Sequence, residues 1–259
     1  VSLKAAVDHG ADAVYMGFRD NTNARAFPGL NFDEAQAAEG LRYAHDRGRK
    51  VLLALNTYPQ PDSWSRWTGA VDRAAKLGMD AVILADAGLM RYAVKQHPQL
   101  RLHLSVQGSA TSYEAVNFYR EHFGIQRAVL PRVLSLPQVE NVVKHTDVEI
   151  ELFGFGGLCV MESPACMAAS SAGVCSPAKA VQWTDTPTGL ESRLNGVLLD
   201  RYGKDEKAGY PTLCKGRFEV AGETYYALEE PTSLNTLDLL PEMLRIGIAA
   251  IKIEGRQRS

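Results

Sequence analysis

The chain lacks a long apolar run. None of its hydrophobic stretches approaches the 18 residues that indicate a membrane-spanning helix. Its first residues also lack the basic segment and apolar segment of a secretory leader. We therefore expect a cytoplasmic protein with no membrane span. The chain opens at Val1 and ends in a charged stretch at 255–259, which indicates a fragment of a longer protein.

A surplus of charge of either sign is also missing. Lys and Arg number 28 against 30 Asp and Glu, which gives a net charge of −2. A balance this close to zero argues against broad electrostatic binding to RNA or DNA, so we expect no nucleic-acid partner. The apolar fraction of 46% is that of a globular protein with its own core, which excludes disordered and collagen-like chains.

Motifs of several common enzyme classes are absent. The sequence contains no Walker A motif, no His-Glu-x-x-His and no Gly-x-Ser-x-Gly. The run that starts at Gly154 begins like a dinucleotide-binding fingerprint, but Cys159 stands where the third glycine belongs. These absences disfavour NAD, ATP, zinc-protease and α/β-hydrolase chemistry.

Short apolar runs rich in β-branched residues recur at residues 13–16, 51–55, 81–84, 102–106, 127–130, 148–153 and 249–253. Most are near-continuous, which is typical of parallel strands buried on both faces. Helical patterns separate them, as at 33–47, 65–77 and 112–122. The spacing predicts an α/β fold, a (β/α)8 TIM-barrel-like domain over residues 1–259. A doubly wound open sheet is the competing architecture, and the first barrel strand is expected upstream of Val1.

A long interval separates the last two predicted strands. It contains all four cysteines and a charged stretch at 200–207. We predict that residues 154–240 form an insertion after the strand at 148–153. Barrel enzymes place their chemistry at this carboxyl end of the strands.

The cysteines of this predicted insertion are Cys159, Cys166, Cys175 and Cys214. Four thiolates are the ligand count of a 4Fe–4S cluster or of a tetrahedral zinc ion. Structural zinc sites use cysteine pairs with two to four intervening residues, and no such pair is present. The spacing therefore favours an iron–sulfur cluster. A zinc site and four buried cysteines without a metal are the alternatives.

Polar residues follow several predicted strands, where they would face the mouth of a barrel. The candidates for substrate binding are Arg25, Asn31, Asn56, Thr57, Asp86, Gln107, Arg132 and Glu254. Guanidinium groups can hold a carboxylate through two hydrogen bonds, so arginines suit an acidic substrate. The alternative interpretation is that these groups cap loops and pair with one another.

Several motifs resemble those of a known family. Three of them are similar to signatures of the collagenase-like peptidase family of unassigned mechanism. They are the runs at 151–153 and 156–159, the run at 252–256, and the runs at 23–25 and 30–32. The segments at 189–195, 208–217 and 228–237 resemble the UbiU branch of that family, which acts in ubiquinone biosynthesis. Pro164 stands where the family usually has glycine, and the stretch from Cys166 to Cys175 is shorter than in that branch.

The resemblance implies a 4Fe–4S cluster held by the four cysteines. It also implies a heterodimer with a homologous UbiV-like subunit. The implied activity is oxygen-independent hydroxylation of a ubiquinone precursor, with prephenate as the oxygen donor. Other members of the family hydroxylate RNA bases or are named peptidases, and these are the alternative functions.

Overall fold

The structure is a computed structural model that describes residues 2–20, 22–23, 31–59, 61–157, 182–194, 196–206, 216–227 and 232–254. Arg25 and the predicted cluster ligands Cys159, Cys166, Cys175 and Cys214 lie outside these residues.

Seven parallel strands form one curled sheet. They are β1 (Ala13–Met16), β2 (Lys50–Leu55), β3 (Ala81–Leu84), β4 (Leu102–Leu104), β5 (Arg127–Val129), β6 (Glu149–Gly157) and β13 (Ala250–Ile253). Each pairs in parallel with the strand that precedes it in this series. A doubly wound sheet reverses its strand order at a switch point, so that alternative is wrong. The sheet is a half-barrel, and an eighth strand upstream of Val1 stays a prediction.

Helices pack against the convex face of this sheet. Asp33 and Asp86 cap the first turns of two helices through their side chains, and Gly78 and Gly124 end two others in the left-handed conformation. The helices are α1 (Ser2–Asp8), α2 (Glu34–His45), α3 (Trp64–Leu77), α4 (Ala87–Gln96), α5 (Tyr113–Phe123), α6 (Leu136–Lys144) and α7 (Leu240–Ile246). No helix among the described residues is long and apolar enough to cross a membrane.

The two faces of the sheet differ in composition. On the convex face, alternate strand residues such as Val51, Leu53 and Leu55 pack with helix residues into one buried apolar cluster. On the concave face, Leu52 and Ile83 form a small apolar cluster near β1 to β3. Because successive side chains of a strand alternate between faces, the residues between those of the main core point into the half-barrel.

The described parts of the predicted 154–240 insertion are antiparallel. Strands β7 (Gln182–Thr186), β8 (Gly189–Leu194) and β9 (Val197–Gly203) form one sheet, and β10 (Phe218–Val220) pairs with β11 (Glu223–Tyr225). The next strand, β12 (Ser233–Asn235), returns to the main sheet and pairs with the end of β6. Strand β6 thus continues four residues beyond the predicted strand at 148–153, and residues 154–157 belong to the sheet.

Candidate functional site at the carboxyl end of the sheet

Two predicted site residues meet at the carboxyl end of the sheet. Arg132 lies in the loop after β5, and Glu254 follows β13 directly. Arg132 Nη2 donates to Glu254 Oε2 at 2.8 Å, and the Arg132 side chain is only 3% exposed. The guanidinium also lies 3.4 Å from the ring centroid of Phe153 on β6. A desolvated pair of this kind holds both charged groups in a fixed place beside an aromatic ring.

Gly156 allows Glu254 to approach β6. A Cβ atom at this position would lie 2.5 Å from Glu254 Cβ and 2.7 Å from the Glu254 carbonyl oxygen. Gly156 also has a φ of +131°, where side chains are strained. The Glu254 N–H donates to the Phe155 carbonyl oxygen at 2.8 Å. The glycine in this family-like motif therefore has a packing role next to the ion pair.

Two other candidates support the local structure. Asp86 caps α4 and accepts a hydrogen bond of 2.7 Å from the Leu89 N–H. Thr57 Oγ1 accepts a hydrogen bond of 3.0 Å from Trp67 Nε1. For these two residues the structure gives the capping and pairing roles that sequence reasoning held as the alternative.

The loops after β2 and β4 are joined across the end of β3. Tyr58 donates its hydroxyl hydrogen to the Gln107 carbonyl oxygen at 2.7 Å. Burial raises the pKa of Tyr58 to about 12, so its hydroxyl stays protonated at neutral pH. Asn56 begins the same β2 loop and is partly buried. The bond places Asn56 and Gln107 in two loops that share one side of the mouth.

Asn23 stabilises the described start of the loop after β1. Its side chain is 1% exposed and donates to the Phe18 carbonyl oxygen at 2.9 Å. Asn31 is also buried, and its carbonyl oxygen accepts from Arg19 at 3.5 Å. Asn31 thus lies at the base of this loop.

Partly exposed aromatic rings lie near the carboxyl end of the sheet, namely Tyr58 after β2, Trp64 at the start of α3 and Phe155 on β6. Trp64 also packs edge-on against Tyr92 of α4, with ring centroids 6.4 Å apart. The Trp64 ring and the Asp86 carboxylate both border Gly88 at the start of α4. Below these rings, the floor of the mouth is apolar and consists of Val106, Val129, Phe153 and Leu234. An apolar floor with partly exposed rings and a few fixed polar groups suits a planar ligand.

Sequence reasoning missed a chain of charges on the concave face. Arg101 and Arg127 each contact Glu149 Oε2, at 2.9 and 2.8 Å. Arg127 also lies 3.3 Å from Glu151 Oε2, and Lys252 Nζ lies 3.1 Å from Glu151 Oε1. Burial alone would raise the pKa of Glu151, but the charges of Lys252 and Arg127 outweigh it and hold that pKa below its ordinary value. A signal was present, since charged residues interrupt otherwise apolar strands.

His103 lies beside this chain on β4. It is 2% exposed, and burial followed by the charge of Arg127 lowers its pKa to about 3. Arg101 Nε donates to His103 Nε2 at 3.1 Å. Because arginine can only donate, Nε2 is the acceptor and the ring proton is on Nδ1.

The metal prediction falls outside the part of the chain that the structure describes. Within that part, no group of three or more His, Cys, Asp or Glu side chains is arranged to hold a metal ion. The first of the segments with cysteines begins after Gly157, the last residue of β6 at the carboxyl end of the sheet. The cluster and its four cysteine ligands stay a prediction.

The whole chain, residues 1–259, matches the family model described as peptidase family U32. The chain belongs to this family. An uncharacterized protease of Methanocaldococcus jannaschii is 30% identical over 99% of this chain and 58% of its own length. The tRNA hydroxylation protein P1 of Bacillus subtilis is 27% identical over 99% of this chain and 56% of its own. The tRNA hydroxylation protein P of Escherichia coli is 26% identical over all of this chain and 62% of its own.

The chain thus spans between 56% and 62% of the length of these curated relatives. A solved structure of a U32 peptidase superposes with a TM-score of 0.52 at 16% identity, over 63% of this chain and 68% of that one. This similarity supports the half-barrel fold. The U32 match confirms the predicted family, and the ubiquinone-biosynthesis branch within it stays a prediction.

Proposed function

We propose that this chain is the barrel part of a protein that hydroxylates a nucleobase of tRNA without molecular oxygen. The proposal rests on how much of this chain the tRNA hydroxylation proteins of B. subtilis and E. coli match. Their similarity extends over 99% and 100% of this chain, so it includes the carboxyl end of every strand of the half-barrel. The E. coli enzyme named 23S rRNA 5-hydroxycytidine C2501 synthase is also 32% identical over 63% of this chain.

The mouth of the half-barrel suits an unstacked base. Proteins that read single-stranded RNA stack bases on aromatic side chains and hydrogen-bond their edges. Tyr58, Trp64 and Phe155 supply partly exposed rings, and Arg132 with Glu254 supplies fixed polar groups. The net charge of −2, from which no nucleic-acid partner was expected, disfavours extended backbone binding. Stacking of one base on an aromatic ring contributes about 1–3 kcal/mol whatever the net charge of the chain.

The histidines give no support to a peptidase. A cysteine or serine peptidase needs an imidazole base beside its nucleophile. Five of the six histidines lie at or next to the carboxyl ends of helices, which is the end of a β/α unit opposite the mouth, namely His9, His45, His97, His122 and His145. The sixth, His103, is buried on the concave face and bonded to Arg101. The peptidase name of the family therefore finds no histidine at the mouth to act as its base.

The proposed cofactor is a 4Fe–4S cluster held by Cys159, Cys166, Cys175 and Cys214. The sequence favours this cluster over a zinc ion, because none of its four cysteines form a closely spaced pair. Such a cluster supplies electron-transfer chemistry when bound. The residues of the mouth would orient the ring and exclude water from it.

A second candidate substrate is a ubiquinone precursor. The segments at 189–195, 208–217 and 228–237 favour it, because they resemble the UbiU branch. A UbiV-like partner subunit and prephenate as oxygen donor belong to this second proposal. Both substrates present a planar ring to the same mouth.

Deletion of the gene in its source organism separates the two substrates. Mass spectrometry would quantify hydroxylated nucleosides in tRNA and rRNA, and hydroxylated quinone precursors, in cells grown with and without oxygen. We expect a hydroxylated tRNA nucleoside to disappear and the full-length gene to restore it. Loss of ubiquinone with unchanged tRNA would support the second substrate instead. Unchanged tRNA, rRNA and quinones would contradict both.

A further inference from the structure

The charge chain of the concave face has one more cation than anion. Arg101, Arg127 and Lys252 face only Glu149 and Glu151 among the described residues. Both oxygens of Glu151 are already used, one by Arg127 and the other by Lys252. The Lys252 and Glu151 side chains are 10% and 6% exposed, so water screens them poorly. Arg101 and Glu149 are partly exposed, so the least solvated part of the chain consists of Arg127, Lys252 and Glu151, with two cations to one anion. A further anion would balance this charge.

His103 adds an unused donor to the same place. Its Nε2 accepts from Arg101, and its Nδ1 is buried without a hydrogen-bond partner in the described part of the chain. Buried N–H groups are nearly always paired, so an acceptor is expected beside Nδ1. Arg101, Arg127, Glu149 and Glu151 all act electrostatically on this imidazole, which places it within the charge chain.

The neighbouring strands carry three alanines on the concave face, beside the cluster of Leu52 and Ile83. By strand alternation, Ala13, Ala54 and Ala81 point to the concave face, where barrels usually carry bulky branched residues. Tyr15 lies between these alanines and the charges, with its ring centroid 4.2 Å from Lys252 Nζ.

From these contacts we propose that a small oxyanion, a phosphate or a carboxylate, binds on the concave face beside His103, Arg127 and Lys252. Its oxygens would accept from His103 Nδ1 and balance the surplus cation. A water molecule would satisfy the imidazole but leave the surplus charge. This site lies below the mouth, where Lys252 Nζ is 5.9 Å from the ring centroid of Phe153, and the proposal does not depend on the tRNA substrate.

Titration calorimetry of the full chain with inorganic phosphate and with acetate, at constant ionic strength in chloride, tests the proposal. We expect one or both oxyanions to bind. Lys252→Met should weaken binding by about tenfold or more, because it removes a cation that would lie beside the bound oxyanion. Lys4→Met is the matched control, since Lys4 pairs with Glu39 on the exposed surface of α1 and α2. Its affinity should equal that of the unaltered chain.

Nitrogen-15 NMR of the unaltered chain gives a second readout that needs no variant to fold. Addition of the oxyanion that binds should shift the His103 Nδ1–H resonance and leave the exposed His9 unchanged. Absence of binding beyond that of chloride, equal weakening in both lysine variants, or an unshifted His103 resonance at saturation would overturn the proposal.

Discussion

His103 makes the stability of the fold depend on pH at the scale of a single residue. Burial and Arg127 lower the pKa of its imidazole from 6.5 to about 3. Below about pH 6.5 the unfolded chain binds a proton on this side chain, whereas the folded chain does not until about pH 3. The free energy of unfolding is therefore highest above pH 6.5 and falls as the pH drops towards 3. From pH 7.0 to 5.0 this group alone contributes a loss of about 2 kcal/mol.

Urea unfolding at pH 7.0 and pH 5.0 checks this effect. The carboxylate of Glu151 has a lowered pKa and contributes below that range. We expect His103→Phe to lose clearly less stability between the two pH values than the unaltered chain. His9→Gln, at the exposed end of α1, is the control and should keep the original dependence. An unchanged dependence in His103→Phe would contradict a buried neutral imidazole.

The junction of β6 and β13 is the element on which the mouth depends. Phe153 lies on β6, and Glu254 follows the end of β13. Gly156 allows Glu254 to approach β6 closely. Gly156→Ala places a Cβ 2.5 Å from Glu254 Cβ, at a φ of +131°. The overlap and the strained backbone should lower the free energy of unfolding by at least about 2 kcal/mol.

Gly69→Ala is the matched control for that substitution. Gly69 lies inside α3, and its added Cβ would meet only the end of Arg73, at 3.9 Å. Alanine favours the helix, so this variant should gain about 0.5–1 kcal/mol. Denaturant unfolding of both variants measures the contrast. Equal effects of the same sign would show that Gly156 does not have the role described.

The parallel strands of the half-barrel could be predicted from sequence because their apolar runs are short, continuous and evenly spaced. The end of β6 was missed because Gly154, Gly156 and Gly157 have the composition of a loop, although the close approach of β13 requires glycine at 154 and 156. The pairing of Glu151 with Lys252 on the concave face was missed because it joins strands that are 101 residues apart in sequence. Arg132 and Glu254 were found because both follow strand ends.

At the scale of the whole molecule, the half-barrel has a large apolar core of its own. Among the described residues, this core is formed by the parallel strands and the helices packed on them. Loss of a cluster should therefore leave the barrel folded. We expect Cys175→Ala to lose the iron and sulfide that anaerobically purified protein binds, while its far-ultraviolet circular dichroism stays unchanged. Ser176→Ala is the neighbouring control. Full iron content in Cys175→Ala, or zinc in the unaltered protein, would contradict the cluster.

The central proposal is that the mouth, at the carboxyl end of the sheet, holds a base of tRNA for hydroxylation. Its most direct test compares two arginines from opposite ends of the sheet, in the deletion strain complemented with the full-length gene. Arg132→Met removes the partner of Glu254 at the mouth, whereas Arg49→Met removes an ion pair with Asp12 before β2 at the amino end. At equal protein levels by immunoblot, we expect hydroxylated nucleoside in tRNA to be lost with Arg132→Met and retained with Arg49→Met. Full hydroxylation with Arg132→Met would contradict the account.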